Sequence, residues 1–218
     1  MQLDTVIFDM DGLLIDSEPL WNEAADEVFM QYNFRLTPVQ HASTTGMRTK
    51  EFLQWWFNKY NVPLIHAAEA DAAILKKVIE KVRVKGKPMA GIAHIFNFFI
   101  QRNFKIGLAS SSAMPLIDVV VDQLGIRKYL QAICSAAQLP YGKPHPQVYL
   151  NCAEALQSDP LCCICFEDSF NGLIAAKAAR MKCVVIPSAQ DSKLAKFSAA
   201  DLKISSLHNF NELLMQTL

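Results

Sequence analysis

Apolar residues along this chain fall into two textures. From Leu3 to Phe8 they run together and end in Val6-Ile7-Phe8, a stretch of the length expected for a short buried strand. Past Asp16-Ser17-Glu18-Pro19 they recur at helical spacing, at Leu20, Ala24, Val28 and Phe29. That spacing predicts a helix, with Ser17 placed to cap it and Pro19 suited to its first turn. Helical spacing persists through 51–60 and 67–84, and Gly46 is the only glycine between Gly12 and Gly86. The expectation is a mostly helical insertion of roughly 70 residues, smaller than an average domain.

Lys85-Gly86-Lys87-Pro88 breaks that texture, and helices then alternate with strands. The predicted helices are 92–102, 115–124 (closed by Gly125), 146–156, 172–180 and one opening at Leu207. Between them the strands are 104–109, 131–135, 161–166, 183–186 and a short 202–204. Alternation of this kind means βαβ units, hence an α/β fold with a parallel sheet. The predicted core spans 1–15 and 86–218, and the insertion spans 16–85.

The composition narrows the choice of partner. The 218 residues are 51% hydrophobic, enough for a full core. Lys plus Arg number 21, as do Asp plus Glu, so no net field favours nucleic acid or a membrane surface. A small diffusing ligand, a monomer and the cytoplasm are the expectations, because neither a basic leader nor an apolar run long enough to span a bilayer is found. Cys134, Cys152, Cys162, Cys163, Cys165 and Cys183 read as reduced core thiols, including the formal C-x-x-C of Cys162 and Cys165. The basic stretch Lys76, Lys77, Lys81, Arg83, Lys85 and Lys87 reads as a solvated helix end. Trp55-Trp56-Phe57 reads as the core of the insertion.

Chemistry-bearing residues collect where strands end. Asp9-Met10-Asp11-Gly12 closes the first strand with two acids at i and i+2, which share a face if the strand continues. Carboxylates at the carboxyl end of a buried parallel strand face the crevice where open α/β sheets bind ligands. Ser110-Ser111-Ser112 follows the second strand and opens a helix, a setting for an anion. Lys143 lies in Tyr141-Gly142-Lys143-Pro144-His145-Pro146, a stiff loop that can present a point charge to phosphate or carboxylate; His145 reads as loop packing. Glu167-Asp168 brings two more acids to a strand end, and these would repel Asp9 and Asp11 unless a cation sat among them. Each signal alone has an ordinary alternative: a turn, an N-cap, a solvated lysine.

Taken together, the four motifs resemble the haloacid dehalogenase-like hydrolase superfamily in its order, along the whole chain. The Asp-Gly-Leu-Leu-Ile-Asp-Ser-Glu run and the Gly-Lys-Pro-His-Pro loop are most similar to its β-phosphoglucomutase-like branch, in particular bacterial 2-deoxyglucose-6-phosphate and hexitol phosphatases. The resemblance implies a Rossmann-like core with a mobile helical cap inserted after the first strand. It further implies Asp9 as nucleophile, Asp11 as general acid and base, Ser110 and Ser111 with nearby amides as phosphate holders, and Lys143 as charge balance. Mg²⁺ would be held by Asp9, the Asp11 backbone carbonyl, Asp168, and Glu167 directly or through water. Arg48, and less so Lys50, matches a cap-loop position that can reach substrate. The expected activity is hydrolysis of a small phosphate monoester, a hexose or polyol phosphate. A phosphomutase, a phosphoglycolate phosphatase and a non-catalytic regulatory module are the rivals. Asp11 speaks against dehalogenation, since halide needs no proton. Trp21 stands where the mutase carries a histidine, and Arg48 lies one residue nearer Gly46 than the mutase arginine does, which favours water as the acceptor.

Overall fold

The computed structural model describes residues 2–218. Six strands appear in chain order: β1 (Thr5–Phe8), β2 (Lys105–Ser110), β3 (Ala132–Ser135), β4 (Cys163–Glu167), β5 (Lys182–Val185) and β6 (Leu202–Lys203). They form one all-parallel sheet of order β3-β2-β1-β4-β5-β6. The α/β sheet expected from the alternation is therefore present. Its strand order reverses at β1, and such switch points are where open parallel sheets form a ligand crevice. The register pairs Phe8 with Leu108 on one side and with Phe166 on the other, so the three central strands end nearly level.

Alternation along the strands assigns each side chain to a face. Val6, Phe8, Leu108, Ile164 and Phe166 join one apolar cluster. Phe8 stacks there on Phe96 of α5 (Ile92–Ile100), ring centroids 5.0 Å apart, and lies 5.3 Å from Phe166, and α6 (Met114–Gln123) adds Leu116 and Val120 to the same cluster. Ile7, Cys163, Cys165 and Cys183 belong to the opposite cluster, packed with Tyr149 and Leu173. That face is covered by α7 (Gln147–Ala155) and α8 (Phe170–Ala178). All six thiols are free, and the core-packing reading of the strand cysteines holds. The helix expected from Leu207 is instead a 3₁₀ turn, Leu207–Asn209, and a short helix, Glu212–Met215. Ser206 and Asn211 each cap a separate start by accepting from His208 N–H and Leu214 N–H, which divides the segment in two.

The insertion consists of α1 (Glu18–Phe29), α2 (Pro38–Ala42), α3 (Thr49–Lys59) and α4 (Ala67–Lys85). Phe29 anchors its interior, stacking on Phe34 at 4.5 Å and Phe52 at 5.5 Å. Trp56 and Phe57 are buried with it, but Trp55 is 58% exposed, contrary to the expectation for the trio. Consecutive residues on a helix point about 100° apart, so three in a row cannot share one buried stripe. α2 is too short to show periodicity; what starts it is the Thr37–Gln40 capping box. On the outer face Lys77, Lys81 and Lys85 pair with Glu27 and Glu23 of α1, so the basic stretch is a solvated helix seam. Among the described residues no helix is long and apolar enough to cross a membrane.

Candidate active site

β1 stops at Phe8, one residue before the first acid, although the Asp9 N–H continues its ladder to the Phe166 carbonyl at 3.0 Å. The two acids therefore do not share a strand face as expected; both stand on the loop beyond it. The Met10 carbonyl folds that loop back by accepting the Leu14 N–H at 2.9 Å. Gly12 turns it at φ +76°, where a Cβ would lie 2.2 Å from Asp168 Oδ2. No larger residue fits that approach.

The carboxylates take separate partners. Asp11 Oδ1 accepts from Ser17 Oγ at 2.6 Å and from Trp21 Nε1 at 3.0 Å, while Oδ2 accepts from Ser112 Oγ at 2.7 Å and Ser110 Oγ at 3.4 Å. Ser17 thus makes no side-chain cap for α1, because its hydroxyl is spent on Asp11. Ser112 and Trp21 as Asp11 partners were not foreseen from the sequence; neither has a spacing that announces a contact over 101 or 10 residues.

Asp9 belongs to a buried network centred on Lys143, a residue only 3% exposed. Lys143 Nζ donates to Asp9 Oδ1 at 2.5 Å, Glu167 Oε1 at 2.7 Å and the Ala109 carbonyl at 3.0 Å. Tyr149 OH donates to the same Glu167 oxygen at 2.6 Å. Glu167 Oε2 accepts from the Asp168 and Ser169 N–H groups at 3.1 and 3.2 Å and from Ser169 Oγ at 3.1 Å. Both oxygens of Glu167 are therefore engaged, and its observed task is to hold Lys143 and the start of α8. Tyr149 was invisible beforehand because an aromatic on a core helix reads as packing. His145 does pack in its loop, its ring 5.2 Å from that of Tyr141.

One cavity collects Asp9, Asp11, Ser110, Ser111, Lys143 and Asp168 from the sheet side, facing Trp21, His41, Thr44 and Phe52 from the insertion. Ser111 Oγ crosses between the two by donating to the Gly46 carbonyl at 3.2 Å. Arg48 does not line this cavity, against expectation. Its Nη1 donates to the Ala136 carbonyl at 3.0 Å and to the Leu139 carbonyl, and Nη2 reaches Glu51 and the Pro140 carbonyl. The shaft lies over Gly142, where a Cβ would come within 2.6 Å of Nε, so the arginine is drawn onto the Lys143 loop by carbonyls instead of toward a ligand.

The family model of the haloacid dehalogenase-like hydrolases matches residues 3–180. The chain belongs to this family. Hexitol phosphatase B of Escherichia coli (strain K12) is 37% identical over 209 residues, covering 94% of this chain and 93% of that protein. Fructose-1-phosphate phosphatase of the same strain is 28% identical over 184 residues, 82% of this chain and 94% of that protein. Among solved structures, a β-phosphoglucomutase from Clostridium difficile superposes with a TM-score of 0.85 at 22% identity, covering 99% and 96% of the two chains, a likeness of fold. The protein is thus a haloacid dehalogenase-like hydrolase of the phosphatase class.

In this hydrolase Asp9, Glu167 and Asp168 form the acidic cluster found among the described residues, with ligand oxygens within 4.8 Å of one another. Burial pushes the Asp9 carboxyl up to about 8 despite Lys143, and Glu167 and Asp11 add to the push. Burial likewise drives Asp168 well above the carboxylate range, with Glu167 and Asp9 contributing. For Lys143, burial favours the neutral amine, but Asp9 and Glu167 outweigh it and keep the ammonium charged. One lysine among these acids leaves the site short of positive charge. A hard divalent cation with oxygen ligands suits the donors present.

Proposed function

We propose that this hydrolase is a Mg²⁺-dependent phosphatase of small phosphate monoesters, hexose or polyol phosphates, working through an aspartyl-phosphate. The observation that carries the reading is the division of labour between the two acids: Asp9 is held by an ammonium, and Asp11 by hydroxyls and an indole, at one cavity. Asp9 attacks phosphorus and the ester P–O bond breaks, while Asp11 gives its proton to the departing alkoxide. Asp11 then removes a proton from water, which attacks the aspartyl-phosphate and releases inorganic phosphate from Asp9. Ser110, Ser111 and the neighbouring amides hold the phosphoryl oxygens, and Lys143 offsets charge on Asp9 and phosphate.

Asp9, Asp168 and the Asp11 carbonyl, which accepts no hydrogen bond among the described residues, would hold Mg²⁺, with Glu167 supporting them. The cation supplies charge neutralisation that keeps Asp9 ionised. Trp21 supports hydrolysis over phosphoryl return to a sugar, because an indole donates one N–H and has no base to activate a sugar hydroxyl. In this reading residues 16–85 are the cap, 1–15 and 86–218 the catalytic core, and the names of the phosphatase relatives support a sugar-phosphate substrate. A panel of phosphorylated metabolites, assayed for phosphate release with Mg²⁺ and with EDTA, tests it. Hexitol or hexose phosphates should be hydrolysed only with the metal. Full activity in chelator, or interconversion of sugar phosphates with little free phosphate, would overturn it.

A further inference from the structure

The insertion contributes one titratable ring to the cavity that takes no part in phosphoryl transfer. His41, on α2, borders the cavity and is 8% exposed. Its Nε2 lies 3.0 Å from Oδ1 of Asp26 on α1. Asp26 is anchored in turn, with Arg35 Nε donating to Oδ2 at 2.8 Å and the Leu36 N–H to Oδ1 at 3.4 Å. A carboxylate in that setting accepts, so Nε2 carries the hydrogen, and a neutral imidazole then offers Nδ1 as an acceptor. Nδ1 has no partner among the described residues, yet it is not sealed in protein: Arg48 Nε is the fully buried side-chain polar atom left without one. His41 is one of the residues that line the cavity, and its Nδ1 edge is left without a protein partner among the described residues.

We propose that His41, aimed by Asp26, determines specificity by accepting a hydrogen bond through Nδ1 from a substrate hydroxyl remote from the phosphate. This rests on the phosphatase reading. An acceptor at that place selects a polyhydroxylated chain such as a hexitol phosphate and rejects a carboxylate, which would bring acceptor against acceptor. The insertion wall mixes apolar Ala25, Phe52 and Ile74 with polar Asn22, Thr44 and Thr49, so loss of His41 weakens the hold on a remote hydroxyl without abolishing binding. If the pair merely ties α1 to α2, His41 would matter equally for every ligand.

Binding to the Asp9→Asn protein, which is not expected to turn over, separates these cases without relying on catalysis. Calorimetric titration with Mg²⁺ uses sorbitol 6-phosphate and, in parallel, inorganic phosphate. Adding His41→Phe should weaken sorbitol 6-phosphate about tenfold and leave inorganic phosphate within about twofold. His41→Gln, whose amide can donate to Asp26 and accept from a hydroxyl, should recover most of the loss. Asp26→Asn, which frees the ring tautomer, should give a smaller loss of about threefold for sorbitol 6-phosphate alone, and it provides the reading if His41→Phe fails to fold by thermal melting. Equal losses for both ligands, no loss for either, or a parent that holds sorbitol 6-phosphate no more tightly than phosphate would overturn the proposal. Were the unsubstituted enzyme to release no phosphate from any monoester while this binding pattern held, the phosphatase reading would fail and the assignment of His41 would stand.

Discussion

On the sheet side of the cavity the charges are buried: Lys143 is 3% exposed and Glu167 fully enclosed, and each has several fixed partners. On the outer face of the insertion the Lys–Glu pairs that join α1 and α4 lie in water, with Glu27 43% exposed beside Lys77 and Lys81. Exposed pairs of this sort contribute roughly 0–1 kcal/mol, while a buried charge stripped of its partner costs about 3–5 kcal/mol. The insertion is held chiefly by aromatic packing around Phe29. The difference teaches that the sheet wall is constrained by buried electrostatics, while the insertion rests mainly on aromatic packing. Arg48 is where the two meet, an insertion residue whose guanidinium is fixed by carbonyls of the Lys143 loop.

The contrast can be broken most severely at Asp9. Asp9→Asn should lower phosphate release by more than about a thousandfold, since an amide cannot form the acyl phosphate, with the circular dichroism spectrum unchanged. Near-normal release from the folded variant would remove Asp9 from the nucleophile's role. Next comes the buried network itself. Lys143→Met leaves Asp9 and Glu167 facing each other without their cation, and should cost about 3–5 kcal/mol, a fall of about 10 °C in the thermal midpoint. An unchanged midpoint would show that the sheet wall does not depend on its charges.

A smaller effect is expected where the insertion touches the acid. Trp21→Phe keeps the ring's bulk but deletes the 3.0 Å hydrogen bond to Asp11, and should lower kcat about tenfold with KM within about twofold. A change in KM alone would instead make Trp21 a wall of the substrate pocket. The smallest effect belongs to the outer seam. Hydrogen bonds from Lys77 and Lys81 lower Glu27 from 4.5 to about 2, so its contribution is present above the unfolded value and is lost as pH falls from 4.5 toward 2. Because these groups are solvent-screened, Glu27→Gln should shift the midpoint at neutral pH by only about 1–2 °C, and the difference from the parent should vanish near pH 2. A shift as large as that of Lys143→Met would erase the distinction between the two regions.

The four strand-end motifs were legible because local constraints write them into the chain. Asp9-Met10-Asp11-Gly12 needs a glycine for its turn at φ +76°, and Glu167-Asp168 needs a capping serine to open α8. The alternation of strand and helix was legible for the same reason, since period 2 and period 3.6 are properties of neighbouring residues. α2 has five residues, too few to show a helical period, and the closing segment divides at two caps, Ser206 and Asn211, that its apolar spacing does not reveal.

By itself the sequence determined the α/β alternation, the position of the helical insertion and which acids, serines and lysine reach the sheet's carboxyl edge. Only the tertiary structure decided how they divide into working groups: Tyr149 and Glu167 enclosing Lys143, Ser112 and Trp21 converging on Asp11, Arg48 turned from the cavity to loop carbonyls, and His41 aimed by Asp26. The physical reason is range. A hydrogen bond acts over about 3 Å of space, whatever the separation along the chain, and Lys143 meets Asp9 across 134 residues that carry no local trace of the contact.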